Sequence, residues 1–183
     1  MTGFDRRITP ARADLAALSL KGIVPAARYV AGEVAQVTAP SVPLRRAPHP
    51  DAAIDTEALA GEAVTVYERQ DGFAWVQLAA DHYVGYLPEA ALSTHMPEST
   101  HKLTVLRSFV YPGASMKLPH LAHLSLGARV HVRDKTGDFA ELATGGFLWR
   151  AHLGPLSHAV PDFMGVAEGF IGAPYLWGGK TSL

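Results

Sequence analysis

Two stretches of this 183-residue chain combine residue types that can hold or transform a ligand. Asp81-His82-Tyr83-Val84-Gly85-Tyr86 puts a carboxylate, an imidazole and a phenol in succession ahead of a glycine-aromatic pair. Aromatic-bearing hairpins and loops on small β domains commonly form ligand faces. Tyr83 reads equally as a ring packed at the rim of such a domain. Pro174-Tyr175-Leu176-Trp177-Gly178-Gly179 sets two large aromatics beside two glycines, a combination suited to a turn where backbone approaches another group closely. Trp177 reads by residue type as simple core, and the whole stretch as a tail folded back on the body.

Other chemistries lack their spacing. His120-x-x-His123 has metal-like separation, but it lies in a proline-bearing connection with no acidic or sulfur partner nearby and reads as a solvated loop. Ser125, Ser157 and Ser182 sit in no Gly-x-Ser-x-Gly elbow. Gly178-Gly179-Lys180-Thr181 ends in Lys-Thr but lacks the leading glycine of a phosphate loop. The chain contains no cysteine, which excludes a disulfide-stapled scaffold and removes thiolate ligands and nucleophiles. Nothing implies a cofactor.

Sixteen basic and seventeen acidic residues nearly cancel, so no broad footprint for nucleic acid or anionic membrane exists. Asp14, Ser19 and Lys21 interrupt the apolar run of the N-terminus, which does not read as a signal peptide. With no membrane span in the pattern either, a cytoplasmic location is expected.

The elements that position these stretches follow from periodicity. Phe163, Val166, Ala167, Phe170 and Ile171 recur as one apolar face of a helix, opened by Pro161 and closed by Gly172; such a face must be buried against something. Near the N-terminus, Thr9 as N-cap, Pro10 and the leucines Leu15, Leu18 and Leu20 up to Gly22 predict a short helix that clamps a neighbouring domain.

From Val37 onward, short runs of Val, Tyr, Phe and Trp punctuated by Gly, Pro and Asp predict small-barrel β structure. An internal repeat runs through it. Gly61-Glu62-Ala63-Val64-Thr65-Val66 aligns with Gly127-Ala128-Arg129-Val130-His131-Val132 at an offset of 66, which also pairs Phe73-Ala74 with Phe139-Ala140. Gly85-Tyr86-Leu87 and Leu92 then align with Gly146-Phe147-Leu148 and Leu153 at an offset of 61. The first copy therefore carries five extra residues around Leu78 to Tyr83. The shared order of strands suits two SH3-like barrels, each large enough to fold alone.

The string from Ala167 to Ser182, AEGFIGAPYLWGGKTS, resembles the opening of an NlpC-type catalytic domain, a papain-like cysteine peptidase of bacterial cell-wall metabolism. In that family a Gly-x-Asp-Cys-Ser-Gly segment follows, and its cysteine would lie four residues past Leu183. The first barrel is similar to the SH3-like domain that precedes such domains and ends in Asp-x-Tyr-x-Gly-Tyr/Trp. The resemblance implies that Tyr83 reaches the catalytic cleft and helps to bind the free amino end of a wall peptide, and that Asp81 beside it is a substrate-binding residue too. It implies too that Tyr175 lines the cleft next to the nucleophile, with Trp177 propping its wall. The second barrel has Thr144-Gly145-Gly146-Phe147 in place of the tyrosine and is expected to be a spacer.

The chain is thus expected to be mainly β: an N-terminal arm over 1–34, SH3-like barrels over 35–96 and 97–157, and the start of an α+β papain-like domain over 158–183. By resemblance it is the N-terminal part of a cysteine endopeptidase that hydrolyses the γ-D-glutamyl to L-diamino-acid bond of murein peptides with a free L-Ala end. The nucleophile and catalytic histidine would come from the remainder of that domain, in cis or as a second chain. The alternative is a non-enzymatic module of two barrels that binds wall peptides. An exposed apolar face on residues 158–183 favours the first reading, and a tail docked with Tyr175 and Trp177 buried favours the second.

Overall fold

A computed structural model describes residues 4–181, so Ser182 and the carboxyl-terminal leucine lie outside the described residues. The chain is mainly β. Its first part contains β1 (Leu15–Ala17), β2 (Arg28–Val30), β3 (Glu33–Val37), β4 (Ser41–Arg45), β5 (Ile54–Leu59), β6 (Ala63–Gln70), β7 (Phe73–Leu78), β8 (Val84–Pro88) and β9 (Leu92–Ser93). The second part contains β10 (His101–Leu103), β11 (Arg107–Tyr111), β12 (Ala122–Ser125), β13 (Arg129–Val130), β14 (Val132–Thr136), β15 (Phe139–Leu142), β16 (Phe147–Trp149) and β17 (Leu153–Pro155). A single α-helix among the described residues, α1 (Phe163–Glu168), follows.

Strands β3 to β9 form one sheet in the order β5-β4-β8-β7-β6-β3-β9. In the second part, β11, β12, β14, β15 and β16 form a five-stranded sheet, with β13, β10 and β17 in a smaller one. The sheets stay open rather than closing into hydrogen-bonded barrels. Register shifts at Val66/Glu68 in β6 and at Val132/Asp134 in β14 bend these strands around their cores, as an extra unpaired residue does. The edge strand β9 pairs with β3 through only two residues, too few to carry the ladder onward.

Alternation fills the interiors. Leu44, Val64, Val76, Leu78 and Leu87 bury one face of their strands in the first core. Leu103, Val110, Leu142 and Leu148 do so in the second, which also receives Leu59 and Ala60 from the end of β5. The two units share packing: the Arg129 amide donates to the Ala60 carbonyl at 2.7 Å.

The N-terminal arm differs from its sequence-predicted helix. Leu15, Ala16 and Ala17 form β1, paired in parallel with β2, and a single 3₁₀ turn covers Leu18–Leu20. Tertiary contact overrides local propensity here. The strand buries Leu15 against Trp75 and Val84 and leaves Leu18 in solvent, where a helix would have placed its leucines on one side. Arg12 completes the clamp. Its guanidinium carbon lies 4.5 Å from the centre of the Trp75 ring, and it donates to Asp14, Glu68 and Tyr86. Burial works against its charge, but the hydrogen bonds to Asp14 and Glu68 outweigh that and raise its pKa.

The C-terminal helix is shorter than its apolar period predicts. The Asp162 side chain caps it by accepting from the Gly165 amide at 2.9 Å, and it ends at Glu168, a turn before Gly172. Gly165 and Gly169 lower the helical propensity of this segment. Its predicted face is only partly covered among the described residues: Phe163 is 73% and Ile171 83% exposed, while Val166 and Phe170 are half-buried.

Candidate functional site

The five extra residues of the first repeat lengthen one hairpin. Strands β7 and β8 run further than β15 and β16, and the connection over 79–83 is longer than that over 143–146. This extension lifts Asp81-His82-Tyr83 to the tip. His82 turns the chain in the left-handed region, φ 64°, a conformation uncommon for a residue with a side chain. Asp81 Oδ1 accepts from the Tyr83 amide at 3.1 Å, and the Tyr83 carbonyl accepts from the Leu78 amide at 2.9 Å. The Tyr83 ring is half-buried against the first core.

The tail crosses this same end of the first unit. Lys180 Nζ donates to Asp81 Oδ2 at 2.7 Å, and the Lys180 amide donates to Glu57 Oε2 at 2.7 Å. Lys180 Nζ also lies 3.9 Å from Glu62 Oε1. Glu57, 7% exposed, lies on the face of β5 opposite Ala58 and the first core, and Glu62, 8% exposed, follows that strand; its Oε2 has no hydrogen-bond partner among the described residues. Burial raises the Glu62 pKa against the pull of the Lys180 ammonium. Gly178, at φ 74°, lies so close to β5 that a Cβ would stand 2.9 Å from the Asp55 carbonyl oxygen. Asp55 is itself paired with Arg46 at 2.7 Å.

Ahead of this anchor the aromatics stand clear. Tyr175 is 84% and Trp177 65% exposed. Trp177 is therefore no part of a core: with Leu176 it lines a shallow hollow over Arg45, Arg46 and Ile54. The segment joins Tyr175 and Trp177 through Lys180 to Asp81, and through Asp81 to Tyr83. Asp81 and Tyr83 are thus joined directly to the tail through Lys180, while Tyr175 and Trp177 precede that anchor in the chain and, among the described residues, make no hydrogen bond to either.

This end of the first unit falls within a recognisable domain. Residues 44–92 match the bacterial dipeptidyl-peptidase Sh3 domain family. The Sh3 domain so defined runs from β4 through the extended hairpin to β9 and contains Glu57, Glu62, Asp81 and Tyr83. No curated protein matches the chain. Among solved structures, an NlpC/P60 family protein from Bacillus cereus ATCC 10987 has a similar fold, with a TM-score of 0.64 at 17% identity over 82% of this chain and 67% of that one. NlpC2 from Trichomonas vaginalis superposes with a TM-score of 0.32 at 16% identity over 82% of this chain and 60% of that one. NlpC1 from the same organism gives 0.31 at 16% identity over 68% and 46%. At 17% identity the likeness to the Bacillus cereus protein concerns the fold alone.

Glu57, Glu62 and Lys180 escaped sequence reasoning. A signal for the glutamates existed: two carboxylates bracket the apolar run Ala58-Leu59-Ala60, and buried carboxylates need partners. The other side chains of chemical interest are absorbed by structure. His120 packs against Phe109, with ring centres 4.9 Å apart. Ser108 Oγ lies 2.8 Å from His152 Nδ1, yet Ser108 is buried, so the pair ties β11 to the turn before β17. No helix among the described residues is long and apolar enough to cross a membrane.

Proposed function

We propose that this chain is the substrate-gating part of an NlpC-type cysteine peptidase that cleaves the γ-D-glutamyl to L-diamino-acid bond of murein peptides with a free L-Ala end. The observation that carries the reading is the Lys180–Asp81 ion pair, which brings the aromatic-glycine tail to the Tyr83 hairpin of the Sh3 domain. Tyr83 and Tyr175 are assigned to the peptide, and Trp177 to the wall of its cleft. A cysteine thiolate on the papain-like domain, in the same polypeptide or a second chain, would attack the amide carbonyl; the C–N bond would break as a histidine protonates the departing amine, and water activated by that histidine would hydrolyse the resulting thioester. The exposed apolar side chains of α1 and the aromatics after it are the surface on which that domain would pack. Selectivity for a free amino end comes from steric closure by the Sh3 domain around Tyr83. We assign the reaction to cytoplasmic recycling of wall peptides.

One feature favours a second reading, a binding module without catalysis: Gly178 and Lys180 already seat the tail on the Sh3 domain. Calorimetric titration with the tripeptide L-Ala-γ-D-Glu-diamino acid separates the two. Binding by the chain alone that is lost in Tyr83→Ala and kept after removal of residues 158–183 favours the module. Binding that needs those residues favours the peptidase cleft, and no difference between Tyr83→Ala and wild type contradicts both.

A further inference from the structure

We propose that Asp81 and Lys180 are positioning residues that couple the tail to Tyr83, Asp81 serving as a two-sided socket rather than as a contact to ligand. The two oxygens of one carboxylate do different work. Oδ2 accepts from the Lys180 ammonium at 2.7 Å and Oδ1 from the Tyr83 amide at 3.1 Å. Whatever moves the tail therefore pulls on the residue that sets where the Tyr83 ring leaves the hairpin. His82 lies between them at a positive φ, a conformation that persists only where its surroundings hold it.

Charge explains why a lysine fits this point. Glu57, Glu62 and Asp81 converge on one end of the Sh3 domain, with the Glu62 carboxylate buried and one of its oxygens unpartnered. Buried carboxylates repel one another unless a cation intervenes. The Lys180 ammonium lies between Asp81 and Glu62, and its amide takes the Glu57 carboxylate. Without this cation, Asp81 and Glu62 repel each other, with Arg129 the other cation acting on Glu62, and Asp81 is driven outward, taking the hairpin tip with it. The coupling is independent of any ligand; its bearing on peptide binding rests on the function proposed above.

Amide hydrogen exchange on the whole chain tests this, with tripeptide titration alongside. In Lys180→Met, exchange at Tyr83 is expected to speed up about two- to fivefold, the worth of a half-exposed ion pair. The amides of Val66 and Val76 in the core are expected to stay unchanged. Lys180→Arg should restore protection at Tyr83, and Asp81→Asn with Lys180→Met should be no worse than the worse of the two single variants. Unchanged exchange at Tyr83 in Lys180→Met, or acceleration spread equally through the core, overturns the coupling. If the coupling holds while wild type binds no tripeptide, the module reading fails and the positioning role stands.

Discussion

Gly61 and Arg129 meet where the two β units join, and a Cβ on Gly61 would overlap the Arg129 carbonyl oxygen. Gly61 adopts φ 73°, and its neighbour Ala60 accepts the Arg129 amide. The contact fixes the second unit against the edge of the first, and the same turn ends β5 and delivers Glu62 to the acidic end of the Sh3 domain. The strain of a left-handed non-glycine residue, about 1–3 kcal/mol, adds to the clash. Gly61→Ala should therefore lose at least that much stability in urea unfolding, and a variant as stable as wild type would contradict the packing described.

Arg12 should be replaceable by neither alanine nor lysine. Its guanidinium lies over Trp75 and spans Asp14 and Glu68, with Arg28 on the far side of Glu68. Loss of the ring contact and of a partner to a largely buried carboxylate is worth about 1–3 kcal/mol. Lysine presents a point charge that cannot fork across two carboxylates. Thermal unfolding should show both Arg12→Ala and Arg12→Lys melting below wild type.

Glu62 makes the first unit less stable as pH rises. Its folded pKa lies above the ordinary glutamate value because burial disfavours the charged form. Between those two values the folded state holds more protons than the unfolded state, so stability falls with increasing pH across that window and levels off above it. Glu62→Gln removes the titration. Its stability relative to wild type should rise from acid to neutral pH in urea unfolding curves, and a constant difference would contradict the raised pKa.

Tyr175 and Trp177 should matter to function and little to folding. Both are exposed and hold no core position. Tyr175→Ala and Trp177→Ala should each change unfolding free energy by less than about 0.5 kcal/mol, the range of surface substitutions. On the function proposed, the same changes in the chain joined to an NlpC-type domain should lower kcat/KM. A large loss of stability in either variant would show that the tail packs as core.

Much of the β organisation was legible because the repeat is written in glycines and alternating apolar residues. Gly61 and Gly127 both take positive φ at equivalent turns, and the drop in offset marks the shorter β15–β16 hairpin. The arm was not legible: Thr9, Pro10 and the leucines carry a local helix signal, while burial of Leu15 beside Trp75 is a tertiary fact. The helix face at Phe163 was legible as apolar, but its length was not, because Gly165 and Gly169 lower the helical propensity that the apolar period alone does not reveal. Tyr83 and Asp81 stood out by residue type. Their link to Lys180 spans 99 residues of sequence and follows from the path of the tail over β5, which no local pattern encodes.

The central claim is that the Tyr83 hairpin and the Tyr175–Lys180 tail frame the cleft of a cysteine peptidase selective for a free amino end. The most direct test joins this chain to an NlpC-type domain bearing the cysteine and compares cleavage of L-Ala-γ-D-Glu-diamino acid with that of its N-acetylated form. The account predicts cleavage of the free peptide, little or none of the blocked one, and loss of that preference in Tyr83→Ala. Equal cleavage of both peptides would contradict it.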